Sequence, residues 1–127
     1  MARRSTLTGD AIRDNTLTGD DVDEGSLRYP MRDVDASVAL LDSDYIVRCV
    51  QGSSITLTLP AKSSSLGQIL IIKDALGNAA SNNITLDGNG DERIDGQTTY
   101  TISRNGESVV IVCDGVNGWM IISRIRP

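Results

Sequence analysis

Acidic and amide side chains between residues 87 and 95 are spaced like the ligands of a calcium-binding loop. Asp87, Asn89, Asp91 and Asp95 occupy positions 1, 3, 5 and 9 of such a loop. The match fails at position 6, where Glu92 replaces the glycine that makes the sharp turn, and at position 12, which carries a threonine instead of a bidentate glutamate. We therefore predict an exposed polar hairpin with Asx turns here and no metal site.

Groups that catalyse reactions are sparse in this sequence. There is no histidine, which removes the commonest general base and the commonest metal ligand. The serine run at 63–65 has no G-x-S-x-G elbow around it. Asp91 and Asp95 could in principle act as the carboxylate pair of a glycosidase, but a polysaccharide groove usually also offers aromatic platforms, and the chain has one Trp, three Tyr and no Phe. We predict no enzymatic activity, no catalytic residue and no cofactor.

Trp119 follows the turn signal Asn117-Gly118 at the start of a predicted strand. Two roles fit this position. The side chain is either an anchor in the core or at a subunit interface, which is the interpretation we favour, or an exposed residue that stacks on a ligand. In the second case Trp119 joins Asp87, Asn89, Asp91 and Asp95 as a candidate exposed loop residue of the domain.

The two cysteines, Cys49 and Cys113, lie in Val/Ile-rich patterns typical of strands. They form neither a CxxC pair nor the dense framework that small secreted domains use. Buried free thiols are the favoured interpretation, because an unpaired cysteine in such a pattern behaves as a small hydrophobe. A single disulfide is the alternative.

Charge and hydropathy exclude several kinds of partner. The chain of 127 residues has 12 basic and 17 acidic side chains and a net charge of −5. A nucleic-acid partner is not expected, because phosphate binding needs a concentrated positive field. The apolar runs are only a few residues long, whereas a membrane span needs about 18, and the polar N-terminus does not resemble a signal peptide. We therefore expect no membrane partner.

The first 35 residues carry an internal repeat. Residues 5–10 recur almost unchanged at 15–20, and apolar side chains are spaced five residues apart throughout. A period of five fits neither a helix nor a strand, so no single regular element can place all of these side chains on one face. The repeated apolar positions are Leu7, Ile12, Leu17, Val22 and Leu27.

This segment, residues 1–35, is predicted to be an extended N-terminal arm. It has barely two decads, fewer than the roughly three repeats that a repeat architecture needs to bury its own core. Burial of five apolar side chains at about 1.5 to 3 kcal/mol each does not offset the ordering of about 30 backbone units. We therefore expect the arm to dock on a partner surface, with a disordered acidic tail as the alternative.

Residues 36–127 are predicted to form one all-β domain. Short Val/Ile/Thr-rich runs alternate with Asn-Gly and Asp-Gly turn signals. This pattern predicts a small antiparallel β-sandwich or jelly-roll-like knob. Residues 69–72 and 109–113 are apolar at every position, so both faces of these strands need cover, from a second sheet or from another chain. The predicted strands lie near 45–50, 54–59, 68–74, 83–87, 97–103, 108–114 and 119–125.

Five segments of this domain together resemble a β-knob module of tailed-bacteriophage virion proteins. The module recurs in tail fibres, head fibres and capsid decoration proteins, and Thr-Gly-Asp repeats like those of the arm precede such knobs. The resemblance implies a homotrimer that is anchored by its N-terminus and exposes its C-terminal knob. The matching segments are Ser54–Pro60, Gly67–Asp74, Asn83–Leu86, Ile94–Gly96 and Ser108–Gly115 before Trp119.

From the resemblance and the arm together we expect a structural protein exposed on the virion surface and assembled in the host cytoplasm. The leading hypothesis is a trimeric capsid decoration or cement protein whose arm docks on the phage capsid or on other virion proteins. The alternative is the receptor-binding knob of a short tail or neck fibre. In that case, loops near 87–96 and 115–119 would contact host surface glycans.

Overall fold

The computed structural model describes residues 28–127, which form two β-sheets and one short 3-10 helix, Lys62–Ser64. The ten strands of this part of the chain are β1 (Met31–Val34), β2 (Val38–Ala39), β3 (Ile46–Cys49), β4 (Ile55–Thr58), β5 (Ile69–Asp74), β6 (Ile84–Asp87), β7 (Arg93–Ile94), β8 (Thr99–Ile102), β9 (Ser108–Cys113) and β10 (Gly118–Ile125).

The two sheets pack as a sandwich, and the chain crosses between them at almost every step. One sheet has six strands in the order β1-β3-β5-β9-β10-β7, and the other has four in the order β2-β4-β6-β8. Odd-numbered strands therefore enter one sheet and even-numbered strands the other, until β9 and β10 follow each other in the same sheet. The predicted all-β class with two sheets is confirmed.

The strand pairing is mixed, and this corrects the expectation of an antiparallel sandwich. The pairs β1–β3, β3–β5, β2–β4, β4–β6 and β7–β10 are parallel. Only β5–β9, β9–β10 and β6–β8 are antiparallel. From β1 to β6 the chain alternates between the sheets, and each strand that returns to a sheet there runs parallel to the previous strand of that sheet. The pair β6–β8 departs from this rule and is antiparallel. Turn signals mark where the chain reverses, but they do not reveal which sheet receives the next strand.

The six-stranded sheet begins earlier in the sequence than the predicted domain boundary between residues 35 and 36. Met31–Val34 pairs in parallel with Ile46–Cys49, so the last residues assigned to the arm are an edge strand of the sandwich. The segment was not recognised as a strand because it is short and carries two charged residues among four.

The core lies between the sheets and is built almost entirely from aliphatic side chains. Along β3, β5 and β9 of the six-stranded sheet, alternate residues are buried, and the same alternation follows β4 and β6 of the four-stranded sheet. Trp119 is the largest buried side chain in the described part of the chain. Strand alternation thus directs one set of Ile, Leu and Val side chains inward and leaves the other set outside.

Both cysteines are buried in this core and unbonded, as the favoured interpretation expected. Cys49 lies on β3 and Cys113 on β9, with β5 between them. Two strand spacings of about 4.8 Å separate the two strands by about 10 Å, and Cys49 lies beside the end of β5 while Cys113 lies beside its start, so a disulfide is out of reach. Burial, with a smaller contribution from Asp74, raises the pKa of the Cys49 thiol to about 12, so this thiol stays protonated at neutral pH.

A buried carboxylate holds together the loops at one end of the sandwich. Asp74 is 1% exposed and accepts hydrogen bonds from the backbone N–H groups of Gly77 at 3.2 Å, Ala79 at 2.9 Å and Gly106 at 2.9 Å. Burial acts to raise the pKa of Asp74, but these N–H donors outweigh it and hold the pKa below its ordinary value of 3.8.

The lowered pKa of Asp74 predicts a specific dependence of stability on pH. Because the folded-state pKa lies below the unfolded value of about 3.9, the charged carboxylate contributes stability above about pH 4 and loses it as the pH falls through the folded pKa. We expect Asp74→Asn to lower the free energy of unfolding by about 1.5 to 3 kcal/mol at pH 7. Urea unfolding between pH 7 and pH 2 should show the gap to wild type closing below about pH 4.

The matched control for this test is Asp35→Asn, at an exposed position just after β1. This variant should follow the wild-type stability curve at neutral pH. A gap between wild type and Asp74→Asn that stays constant down to pH 2 would contradict the role given to the carboxylate.

Candidate functional site

The outer face of the four-stranded sheet is a polar surface built mainly from threonine. Thr56, Thr85 and Thr101 lie side by side across β4, β6 and β8. In a second row, Thr58 on β4 lies next to Asp87 on β6, and Asp87 lies next to another threonine on β8. Threonine combines a β-branched side chain that suits a strand with a hydroxyl that hydrogen-bonds to water. This face is therefore built to remain in solvent.

The outer face of the six-stranded sheet has the opposite character. One row of apolar side chains crosses β1, β3, β5 and β9, and a second row crosses β5, β9 and β10. All of these side chains remain partly or fully exposed within the described part of the chain. We call this set the apolar face: Met31, Ile46, Ile69, Ile71, Val110, Val112 and Met120.

The exposure of the apolar face is greatest at its two sides. Met31 on β1 is 62% exposed and Met120 on β10 is 41% exposed, while the isoleucines and valines between them are half-buried by their neighbours. Ile122 lies at the irregularity in the pairing of β9 with β10 and adds another exposed apolar side chain close by, at 56%. Contiguous apolar patches of this kind mark surfaces of interaction.

Charged groups border the apolar face at one end and are already paired there. Arg48 donates to Asp33 across β1 and β3, at 2.8 and 3.0 Å to the two carboxylate oxygens. Lys73, next to Arg48 on β5, donates through Nζ to the backbone carbonyl of Gly106 at 2.5 Å. The three side chains of this border carry one net positive charge, and the apolar rows themselves carry none.

The face was only partly visible in the sequence. The apolar residues at both faces of 69–72 and 109–113 predicted that a second cover is needed, and the structure shows that the four-stranded sheet covers only the inner side. Met31 was missed because it had been assigned to the arm. Met120 was missed because nothing in the sequence places it beside Val112 before the β9–β10 hairpin is known.

The predicted loop residues come together in part. Asn89, Asp91 and Asp95 are exposed and Asp87 is half-buried at the end of β6. The backbone N–H of Asp95 donates to the carbonyl of Trp119 at 3.0 Å, so the segments 87–95 and 115–119 do meet. At this contact Gly118 is required, because a Cβ atom there would collide with the carbonyl of Arg93 on β7.

Trp119 is not an exposed loop residue, which corrects its place among the candidate binding residues. Its side chain is 1% exposed, and Nε1 donates to the carbonyl of Pro60 at 3.2 Å. The indole belongs to the core because Trp119 pairs with Cys113 at an inward-facing position of the β9–β10 hairpin. The favoured interpretation as an anchor inside the fold is confirmed.

The carboxylates of the 87–95 loop do not converge on a common point. Asp95 directs Oδ1 to the backbone N–H of Ile121 at 3.3 Å, and its own backbone has a positive φ of 49°. Glu92 turns away and accepts from the backbone N–H of Lys62 at 2.9 Å. Within residues 28–127 no group of three or more acidic, cysteine or histidine side chains is placed to hold a metal ion.

Asp114 organises the neighbouring turn between β9 and β10. Its Oδ1 atom accepts from the backbone N–H groups of Val116, Asn117 and Gly118 at 2.8 to 3.0 Å. These hydrogen bonds, that of Val116 first, lower the pKa of the Asp114 carboxyl. The sequence indicated a turn here through Asn117-Gly118, but not the aspartate that caps it.

The loops 87–95 and 115–119 lie at the end of the sandwich where the described chain begins. The strands β1, β3, β5 and β10 all start at this end, and β9 finishes there. The backbone N–H of Ile46 donates to the carbonyl of Pro30, which places the chain entry beside β3. We call this end the entry end. Chain entry and loops occupy its opposite sides, because β1 and β7 are the two edge strands of the sheet.

The remaining candidate residues, Leu7, Ile12, Leu17, Val22 and Leu27, lie outside the described residues. In the described part of the chain no helix has the length and apolarity to cross a membrane. No protein-family model matches this chain, and no curated protein matches it.

The buried position of Trp119 predicts a structural effect for its removal. We expect Trp119→Ala to lower the free energy of unfolding by about 3 to 5 kcal/mol through the cavity it leaves. Trp119→Phe retains most of the buried area and should lower the free energy of unfolding much less. The lost hydrogen bond to Pro60 accounts for about 1 kcal/mol of that decrease. Urea denaturation followed by circular dichroism measures both. Wild-type stability of Trp119→Ala would contradict the buried role.

Proposed function

We propose that this chain is a structural protein of a bacteriophage virion: a trimeric capsid decoration or cement protein, anchored to the head by its N-terminal arm. The apolar face is the observation that carries the proposal, because seven Ile, Val and Met side chains on one sheet form a surface for binding protein. The virion setting itself comes from the resemblance to phage β-knobs.

The use of the carboxylates supports a structural role without catalysis. Asp74 and Glu107 are buried, and both direct their oxygens to backbone N–H groups of neighbouring loops. Asp91 and Asp95, the pair considered for glycoside hydrolysis, belong to a loop in which Asp95 is engaged with the backbone of β10. These groups hold turns in place.

The position of the entry end favours decoration over receptor binding. A knob held by residues that precede Arg28 has its entry end directed towards the surface that holds it. The loops 87–95 and 115–119 lie at this same end, which supports a place for them near the anchoring surface rather than towards a host cell. The receptor-binding alternative needs these loops at the distal end of the knob.

The anchoring role of the arm is tested by a triple substitution. We expect Leu7→Asp, Ile12→Asp and Leu17→Asp together to abolish co-sedimentation with virions that lack the native protein, because three apolar contacts are replaced by charges. The knob should unfold at the wild-type temperature, because these positions precede the sandwich. The control adds the same three charges at polar positions, Thr8→Asp, Asn15→Asp and Thr18→Asp, and should still bind. Wild-type attachment of the first variant would refute the role of the arm.

Immunogold labelling of intact virions with an antibody against the knob tests the location. The proposal predicts gold spread over the head, because a decoration protein binds many equivalent capsid sites. Gold confined to the tail or neck would contradict decoration and favour the receptor-binding knob.

A further inference from the structure

We propose that the apolar face is the surface through which copies of this chain pack against one another. The inference rests on the proposed trimer and names its interface. In a threefold arrangement each copy presents this face to the axis, where the central strands β5 and β9 of one copy contact those of its neighbours. Ile71 and Val110, paired side by side on these strands, then lie at the centre of the contact.

The strand composition itself calls for cover on the outer side. Along β5 and β9 the inward residues are buried and the outward ones are Ile69, Ile71, Val110 and Val112. Strands that are apolar at both faces are normally covered on both. In the described chain the four-stranded sheet provides cover on the inner side only. Within residues 28–127, no second apolar surface covers the outer side of the six-stranded sheet.

The threonine face shows that this chain builds a solvent-exposed sheet differently. Thr56, Thr85 and Thr101 occupy outward positions on the four-stranded sheet that correspond to those of Ile46, Ile71 and the neighbouring valine on the other. Both residue types are β-branched and suit a strand equally well, so strand propensity does not explain the difference. The apolar rows on β1, β3, β5 and β9 hold no hydroxyl, and Ser123 on β10 ends the row that contains Val110.

The charge distribution fits a second copy as the occupant. Two chains of net charge −5 repel each other unless their contact surface is neutral. The apolar face carries no charged residue, and at its border Asp33 is paired with Arg48. Exposed acidic side chains, such as Asp42, Asp91 and Asp95, lie in loops beyond the strands of this face. Self-association through the face therefore keeps these exposed acidic side chains outside the apolar contact, with Lys73 as a charged residue of its border.

The outer side of the six-stranded sheet has about the size that a small specific interface needs. Its strands, two to eight residues long at about 3.3 Å per residue and about 4.8 Å apart, give a surface of roughly 480 Å² with the charged border included. Burial of this side on both partners removes roughly 1,000 Å² from water, which is at the lower end of the range for specific interfaces. Ridges of Ile and Val at regular strand spacing can interdigitate as the inner faces of packed sheets do.

The test is the mass of the full chain in solution, measured by sedimentation velocity for wild type, Ile71→Asp and Thr85→Asp. Wild type is expected near 41 kDa, three times the chain mass of 13.6 kDa. Ile71→Asp should raise the dissociation constant at least about 100-fold, since a charge buried without a partner opposes assembly, and should sediment as a single chain. Thr85→Asp places the same charge on the threonine face and should keep the wild-type mass.

A second variant guards against misfolding of Ile71→Asp. The double substitution Ile71→Thr and Val110→Thr copies the threonine rows of the other sheet, so it keeps the strands β-branched while weakening the contact. Circular dichroism and thermal unfolding check the fold of each variant.

The outcomes separate this inference from the proposed function. If wild type is a trimer and both Ile71→Asp and the double threonine variant remain trimers, the inference is overturned, while the proposed trimer itself still stands. Wild-type single chains whose arm still binds virions would overturn it too, and would indicate that another virion protein covers the face. A wild-type dimer near 27 kDa that Ile71→Asp dissociates would support the face as the contact between copies and overturn the threefold arrangement.

Discussion

Cover for the two faces of the six-stranded sheet is the physical requirement on which this molecule depends. Its central strands β5 and β9 carry apolar side chains at nearly every position, and strands of this kind are normally covered on both sides. The four-stranded sheet shields one side and forms the core with it. The other side is exposed within residues 28–127, and the proposed contact between copies would cover it.

The alternation of the chain between the sheets makes the cover on the inner side possible with short connections. Up to β9, each strand that joins one sheet is followed by a strand that joins the other, so neighbouring stretches of the chain build both sheets. The connecting loops at each end have backbone N–H groups without strand partners, and carboxylates accept hydrogen bonds from them. Asp74 and Glu107 do this at one end and Asp114 at the other. The acidic composition is therefore used partly within the fold.

Local patterns in the sequence predicted the elements better than their arrangement. The alternation of Ile55, Leu57 and Leu59 with threonines predicted a half-exposed strand, and β4 confirms it. The parallel pairs and the edge strand at Met31 were not predictable, because they depend on which sheet receives each strand rather than on a local period. Trp119 lies in the core for the same reason: its inward direction follows from pairing with Cys113. The apolar face was anticipated as a need for cover but not as a set of residues.

The rate of methionine oxidation by peroxide in the native, full-length protein tests the central claim most directly. Met31 and Met120 lie at the two sides of the apolar face and are 62% and 41% exposed in the single chain, and oxidation depends on this exposure. If copies pack through the face, mass spectrometry of tryptic peptides should show both residues oxidising far more slowly in the native protein than in the denatured chain. Oxidation of both at rates close to those of the denatured chain, at concentrations where the protein is assembled, would contradict the account.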